Sequence, residues 1–222
     1  MSTPKLKAVI FDMDGVLIDS EPSWQIAIFK VMNDLGLNVT MQDMTLTTGL
    51  RIDQVVEFWY QRCPWANYNN QQTAQAIVDQ VVSYILADGQ PMQGVSEALE
   101  ACKELELKVG LATSSSSKII NAVLNRLQIE SYFQAIESAE NLQYGKPHPE
   151  VYLNCAAALN IDPINCLAIE DSFNGLVAAR AANMQTVAIP EPQHANLTKW
   201  AIAHQQLDSL LDLAAYLTKS PS

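Results

Sequence analysis

No run of apolar residues in this chain approaches the ~18 that a membrane-spanning helix needs, and Met1 to Lys7 holds no apolar signal core. Cysteine is scarce and unpatterned. Cys63, Cys102, Cys155 and Cys166 show no C-x-x-C spacing, so they read as reduced, packed thiols rather than a disulfide frame or a metal site, and the expected compartment is the cytoplasm. Basic residues are also few, 13 against 24 acidic ones, leaving a net charge of −11. A face that binds nucleic acid or an anionic membrane needs clustered Lys and Arg, so this balance disfavours both partners. A small phosphorylated metabolite stays within reach, because a metal and a few local cations override the global field. Internal repeats and low-complexity tracts are absent.

What is present suits a buried core. Hydrophobic residues make up 49% of the 222, enough for one core domain carrying a smaller insert, and a monomer is expected. Ala8-Val9-Ile10-Phe11 is a continuous apolar run that stops at Asp12, the pattern of a strand buried on both faces. Similar runs lie at Val109–Ala112, Cys166–Ile169 and Thr186–Ile189, with a shorter one at Ala135-Ile136. Helix-length segments with apolar residues at helical spacing separate them: Val95–Leu105 after Gly94, Ser117–Leu127, Glu150–Leu159 with Pro149 suited to its first turn, and the small-residue segment Asn174–Ala182. Strands alternating with helices predict an α/β fold, an open, doubly wound parallel sheet with right-handed crossovers.

The segment from Ile18 to about Asp88 breaks this alternation. It reads as helices only, Pro22–Leu35, Ile52–Arg62 and Gln71–Leu86, with a loop around Cys63–Asn67. An all-helical insert directly after the first strand predicts a cap over the sheet's crevice. The tail, Thr218 to Ser222, is expected to fray. Several strands end in polar residues: Asp12, Thr113-Ser114 and Glu170-Asp171. Ligands of open α/β sheets bind beyond the carboxyl ends of the strands, so these residues should converge.

Asp12-Met13-Asp14-Gly15 stands at the mouth of the first strand. Two acids two residues apart can equally be a solvated turn, but Gly15 permits a sharp bend at a strand end. D-x-D-G after an apolar strand resembles the first motif of the haloacid dehalogenase superfamily of phosphohydrolases. Thr113 after the second strand, Lys146 in Gly-Lys-Pro-His-Pro, and Glu170-Asp171-Ser172 after the fourth follow in that superfamily's order. The likeness spans essentially the whole chain. It implies a Rossmann-like core over 1–17 and 89–222 and a helical cap over 18–88, as in the β-phosphoglucomutase-like subfamily.

The resemblance also implies roles. Asp12 is the nucleophile, and Asp14 the general acid and base. The Thr113 hydroxyl and the Ser114 N–H hold phosphoryl oxygens, and Lys146 neutralises both phosphate and Asp12. Mg²⁺ is the implied cofactor, held by the Asp12 carboxylate, the Asp14 backbone carbonyl and the Asp171 carboxylate, with Glu170 in the outer shell or in contact through water. Physical reasoning agrees: two carboxylates ~4 Å apart repel by about 4 kcal/mol at an effective dielectric of 20. Four acids in one crevice therefore need a cation. Dehalogenases lack an acid at the second position, so Asp14 favours a phosphatase. Thr113 also heads the run Ser114 to Ser117, which can simply cap the next helix. His148 is expected to shape its loop, and His194 and His204 carry less weight still.

Within the superfamily, Asp19-Ser20-Glu21-Pro22-x-Trp24, Gly49-Leu50-Arg51, Arg62-x-Pro64-Trp65, Ser138-Ala139-Glu140 and Val151-Tyr152-Leu153-x-Cys155 resemble bacterial hexitol and 2-deoxyglucose-6-phosphate phosphatases. That likeness implies a sugar or sugar-alcohol phosphate as substrate. Trp24 and Arg51 are then expected to face it, the ring on C–H surface and the guanidinium on hydroxyls or phosphate, with Glu21 at the hinge. The plainer alternative places Trp24 in the cap core, and Trp59 and Trp65 are expected to pack. A β-phosphoglucomutase-like mutase is the runner-up, disfavoured because those enzymes carry a histidine where Trp24 stands. A phosphonatase would need a cap lysine after Glu21, and Lys30 is the nearest. A catalytically silent adaptor would have no need of Asp12, Asp14, Lys146 and Asp171 together.

Overall fold

The computed structural model describes residues 5–47 and 50–219. Gly49 of the Gly-Leu-Arg motif lies outside them, as do Met1 to Pro4 and the last three residues of the tail. Six parallel strands form one sheet: β1 (Ala8–Phe11), β2 (Lys108–Thr113), β3 (Ala135–Ser138), β4 (Cys166–Glu170), β5 (Gln185–Ala188) and β6 (Gln205–Gln206). Their order, β3-β2-β1-β4-β5-β6, reverses direction between β1 and β4, the place where open α/β sheets leave a crevice. The register is regular there: Phe11 sits opposite Leu111 on one side and Ile169 on the other.

The strand period divides the core in two. Ala8 and Ile10 of β1 face a layer that includes Ala112, Cys155 and Ala168. Val9 and Phe11 face the opposite layer, with Leu111, Ile119 and Ile169. Helices cover both faces: α4 (Val95–Glu104), α5 (Ser117–Leu127), α6 (Glu150–Leu159) and α7 (Phe173–Ala181), with α8 (Leu213–Lys219) at the end. In α5, Ile119, Ile120, Val123 and Leu124 recur at helical spacing and are buried. In α7 the small residues Gly175, Ala178 and Ala179 let the helix lie close to the sheet. β6, α8 and the short 3₁₀ turns after β5 extend beyond the elements that periodicity predicts.

Between β1 and α4 the described chain is helical: α1 (Glu21–Asp34), a 3₁₀ stretch at Met41–Thr47, α2 (Ile52–Arg62) and α3 (Asn70–Asp88). The Asn69 side chain accepts from Gln72 N–H at 3.0 Å and starts α3. Where the chain leaves and re-enters the core, Met92 N–H bonds Leu17 O and Asp19 N–H bonds Gln90 O, both at 3.0 Å. Met32, Trp59, Ile77 and Ile85 are buried in this helical region and belong to the same apolar cluster as Val9 and Phe11. At ~1.5–3 kcal/mol per fully buried large side chain, that shared cluster holds the helices onto one face of the sheet. Among the described residues no helix is long and apolar enough to cross a membrane.

Candidate active site

The carboxyl end of β1 delivers Asp12 into a crevice bordered by the ends of β2 and β4. Gly15 has φ +75°, and a Cβ there would lie 2.1 Å from Asp171 Oδ2. Only glycine lets the loop after β1 turn so tightly against the loop after β4. Gly175 works in the same way one layer down, where a Cβ would sit 1.8 Å from Glu170 Oε1.

Lys146 arrives from the loop before α6 and joins the two acidic loops. Its Nζ is 2.7 Å from Asp12 Oδ1 and 2.7 Å from Glu170 Oε1. It also donates to Ala112 O at 2.9 Å and to the Tyr152 hydroxyl at 3.3 Å. The lysine side chain is only 6% exposed and Glu170 is fully buried. Burial works against its ammonium, but the Asp12 and Glu170 charges outweigh that cost and hold Lys146 above the ordinary lysine range. Glu170 is fully engaged. Oε1 also accepts from Tyr152 at 2.6 Å, and Oε2 from Ser172 N–H and Oγ at 3.2 and 2.9 Å.

Asp12 and Asp171 are less well served. Burial, reinforced by Glu170 and Asp14 and opposed by Lys146, raises Asp12 to about 7. Burial first, then the Asp12 and Glu170 charges, carry Asp171 well above the carboxylate range. No hydrogen bond from a described residue reaches the Asp171 carboxylate. Asp12, Glu170 and Asp171 each bring an oxygen within 4.8 Å of the others. An all-oxygen cluster of like charges with one lysine suits a hard divalent cation. Because Glu170 is spent on Lys146, Tyr152 and Ser172, the oxygens left for such an ion are those of Asp12 and Asp171.

Asp14 is held separately. Its Oδ1 accepts from Ser20 Oγ at 2.5 Å and Trp24 Nε1 at 3.0 Å, and its Oδ2 from Ser115 Oγ at 2.7 Å. Thr113 is buried at the end of β2, and its Oγ1 accepts from Ser115 N–H at 3.0 Å, so its own proton is free to donate elsewhere. The serine run does not cap α5 through its side chains. Ser117 N–H is taken instead by Glu140 Oε2 at 3.0 Å.

A cavity of about 820 Å³ opens above these residues, lined by Asp12, Asp14, Thr113, Ser114, Lys146 and Asp171 on the sheet side. Glu21, Trp24 and Arg51 line it from the helical side. Trp24 thus reaches the cavity, but its indole N–H is given to Asp14. The Arg51 fork is also committed: Nε and one terminal nitrogen bond Asp53 at 2.6 and 2.8 Å, and the other terminal nitrogen bonds the Leu142 and Ala139 carbonyls at 3.0 and 3.4 Å. Glu21 opens the first turn of α1 and accepts from Gln25 at 2.9 Å.

The remaining candidates stand apart from the acidic cluster. His148 N–H bonds Gly145 O at 3.0 Å and shapes the lysine loop, and His194 lines the far end of the cavity. His204 pairs with Thr186 and Arg180 at the surface. Lys30 pairs with Asp34 one turn on, half-exposed. Trp59 is buried, and Trp65 packs edge-on to Tyr60 and Tyr68. All four cysteines are unpaired, and burial pushes Cys102 up to about 12. Sequence reasoning did not single out Tyr152, Ser20, Ser115 or Ser172 as partners of the acids. All four stand inside quoted motifs or the serine run, so position hinted at them, but their bonds span up to 101 residues of chain.

The family model described as haloacid dehalogenase-like hydrolase matches residues 9–189. Hexitol phosphatase B of Escherichia coli K12 is 43% identical over 217 residues, covering 97% of this chain and 98% of its own. An E. coli fructose-1-phosphate phosphatase is 32% identical, covering 82% of this chain and 95% of its own. Among solved structures, a β-phosphoglucomutase of Clostridium difficile superposes with a TM-score of 0.81 at 27% identity, covering 96% of each chain. With its acids and lysine gathered at the strand ends and these matches across nearly its whole length, the chain belongs to the haloacid dehalogenase-like hydrolase family, among the phosphatases.

Proposed function

We propose that the chain is a Mg²⁺-dependent phosphatase that releases phosphate from small sugar or sugar-alcohol phosphates through a phosphoryl group carried on Asp12. One observation carries this reading: a buried, cavity-lining Asp12 whose Oδ1 is taken by Lys146 beside a second, unpaired acid, Asp171. The identity to hexitol phosphatase B supports the substrate class.

An Asp12 oxygen attacks phosphorus, the ester P–O bond breaks, and Asp14 gives its proton to the departing alkoxide. Asp14 then takes a proton from water, whose oxygen attacks the same phosphorus. The bond to Asp12 breaks, phosphate leaves, and both acids return to their starting states. When bound at Asp12 and Asp171, with the Asp14 carbonyl, Mg²⁺ would supply positive charge against the phosphoryl oxygens. Lys146, the Thr113 hydroxyl and the Ser114 N–H add fixed donors on the same group, which is what a loose phosphoryl transfer requires. Glu170 holds Lys146 in place.

Trp24 favours water over a sugar hydroxyl as the second acceptor. An indole N–H donates only, so it cannot take a proton from an incoming alcohol, and here it is bound to Asp14. Phosphate release from sorbitol 6-phosphate, fructose 1-phosphate and 2-deoxyglucose 6-phosphate, with Mg²⁺ and with chelator, tests the proposal. Metal-dependent release that disappears in Asp12→Asn supports it, and release that survives the chelator or the substitution refutes it.

A further inference from the structure

Asp12, Glu170 and Asp171 share the acidic cluster, yet only Asp12 and Asp171 have oxygens left to offer an ion. Glu170 is fully buried at the end of β4, with an oxygen within 4.8 Å of the other two acids. A carboxylate has about four lone-pair sites on its two oxygens, and at Glu170 each has a donor. Oε1 accepts from Lys146 Nζ at 2.7 Å and from the Tyr152 hydroxyl at 2.6 Å. Oε2 accepts from the Ser172 N–H at 3.2 Å and from Ser172 Oγ at 2.9 Å.

These donors differ in what else they do. Lys146 also neutralises Asp12 at 2.7 Å, and Ser172 also starts α7 by accepting from Gly175 N–H at 3.0 Å. The Tyr152 hydroxyl has a single proton, and it goes to Glu170. Toward Lys146 the same hydroxyl is an acceptor at 3.3 Å, and the ammonium sits 4.9 Å from the centre of its ring. Tyr152 is itself fully buried in the first turn of α6, in the layer that holds Ala8 and Ile10. A phenylalanine there would keep the ring and its packing but leave one Oε1 lone pair without a donor. A buried acceptor that loses its donor carries the full cost of desolvation, and a divalent ion beside Asp12 would relieve it.

We propose that Tyr152 is a positioning residue for the metal site: its hydroxyl ties Glu170 to Lys146, keeps that carboxylate out of the ion's inner shell, and so selects Mg²⁺ over Ca²⁺. This rests on the metal-dependent reading above. Mg²⁺ binds through one or two carboxylates and keeps several waters, whereas Ca²⁺ takes more oxygens in a looser geometry. Asp12 and Asp171 with open positions beside them suit the first ion. A third carboxylate brought in at Oε1 suits the second. Close packing against Gly175 fixes where Glu170 lies, but the hydroxyl decides whether Oε1 has a lone pair to give.

Isothermal titration of metal-stripped protein with Mg²⁺ and with Ca²⁺ tests this without turnover. Tyr152→Phe should shift the ratio of the two affinities toward Ca²⁺ by at least about tenfold, the lower end of what a hydrogen bond to a charged group contributes. Glu170→Gln has no third carboxylate to release, so adding Tyr152→Phe to it should leave the ratio unchanged. An unchanged ratio in folded Tyr152→Phe overturns the proposal. A shift of equal size in the Glu170→Gln background also overturns it, since loss of the phenol would then act through packing alone. Should Tyr152→Phe fail to fold, Ser172→Ala takes its place, because it removes the Oγ donor from Oε2. A ratio that does not move there overturns the proposal as well. Wild-type protein that binds neither ion at millimolar concentration would overturn the metal-dependent reading, and this inference with it. Mg²⁺-dependent phosphate release by the wild type, with no shift in the variants, would overturn this inference alone.

Discussion

Lys146 and Arg51 line opposite sides of one cavity, and each is bound to acids, yet they do opposite work. Lys146 is almost wholly buried and bridges two acids that come from different strands. Arg51 is bound to an acid two residues away on its own segment, while its remaining donors cross to the 139–142 loop. In the first case a single positive charge faces Asp12, Glu170 and Asp171 and cannot balance them, so the strand-end side retains a demand for cations. In the second the Arg51–Asp53 pair is neutral by itself. The contrast teaches that the two walls differ in charge balance, and the proposed chemistry uses the difference by seating the phosphoryl group on the sheet side and what is attached to it on the helical side.

The comparison breaks most sharply at Asp12. Asp12→Asn should lower kcat by at least about a thousandfold, as loss of a nucleophile does, with the thermal unfolding midpoint close to that of the wild type. Steady-state phosphate release checks this; a loss of less than tenfold would strip Asp12 of its role. Lys146→Met should come next. It leaves three acids without their buried cation, and should cost ~3–5 kcal/mol of stability in denaturant titration as well as most turnover. Arg51→Gln measured in parallel should cost far less, since its pair is partly exposed. Equal losses at the two sites would erase the distinction drawn here.

Gly175→Ala sharpens it on the sheet side. A Cβ placed 1.8 Å from Glu170 Oε1 must push the acid or the helix aside, an overpacking cost of ~1–3 kcal/mol that calorimetry would read. Acidity provides a further test. Asp12 is raised to about 7 in the folded chain and Asp171 is raised as well. At these two acids the metal-free fold therefore holds protons that the unfolded chain has lost between the ordinary carboxylate value and about 7, so their contribution to stability should fall as pH rises through that window, opposed by His204, which burial holds below its ordinary value. Lys146 is protonated in both states there and contributes no slope. Denaturant midpoints at pH 5 and pH 7.5 with chelator should show the fall, and Mg²⁺ should reverse it at the higher pH. The smallest effect is expected for Trp24→Phe, which keeps the ring and removes one hydrogen bond to Asp14. A roughly tenfold drop in kcat with little change in KM fits a bond to a charged group. An unchanged kcat with a raised KM in Trp24→Ala would make the ring, not its N–H, the useful part.

Much of the architecture was legible because it is local. The run Ala8–Phe11 coincides with β1, and the periodic segments at Ile52–Arg62, Ser117–Leu127 and Glu150–Leu159 coincide with helices. β3 runs two residues past Ala135-Ile136, and β6 is the pair Gln205-Gln206. Its two polar side chains give no apolar signal, and its placement depends on pairing with β5 rather than on its own pattern. The site follows the same rule. The strand-end position of Asp12, Thr113 and Asp171 could be read from neighbouring residues. That Tyr152 and Ser172 hold Glu170, that Ser115 grips Asp14 and that Asp53 engages the Arg51 fork are outcomes of packing, which side-chain type alone does not specify.

The most direct test of the account is a rapid acid quench of the enzyme turning over sorbitol 6-phosphate carrying a radiolabelled phosphoryl group. The account predicts label bound to the protein during turnover, released by hydroxylamine, mapped to the peptide that contains Asp12 and absent in Asp12→Asn. Full-rate phosphate release with no label on the protein, or label that persists in Asp12→Asn, would contradict it.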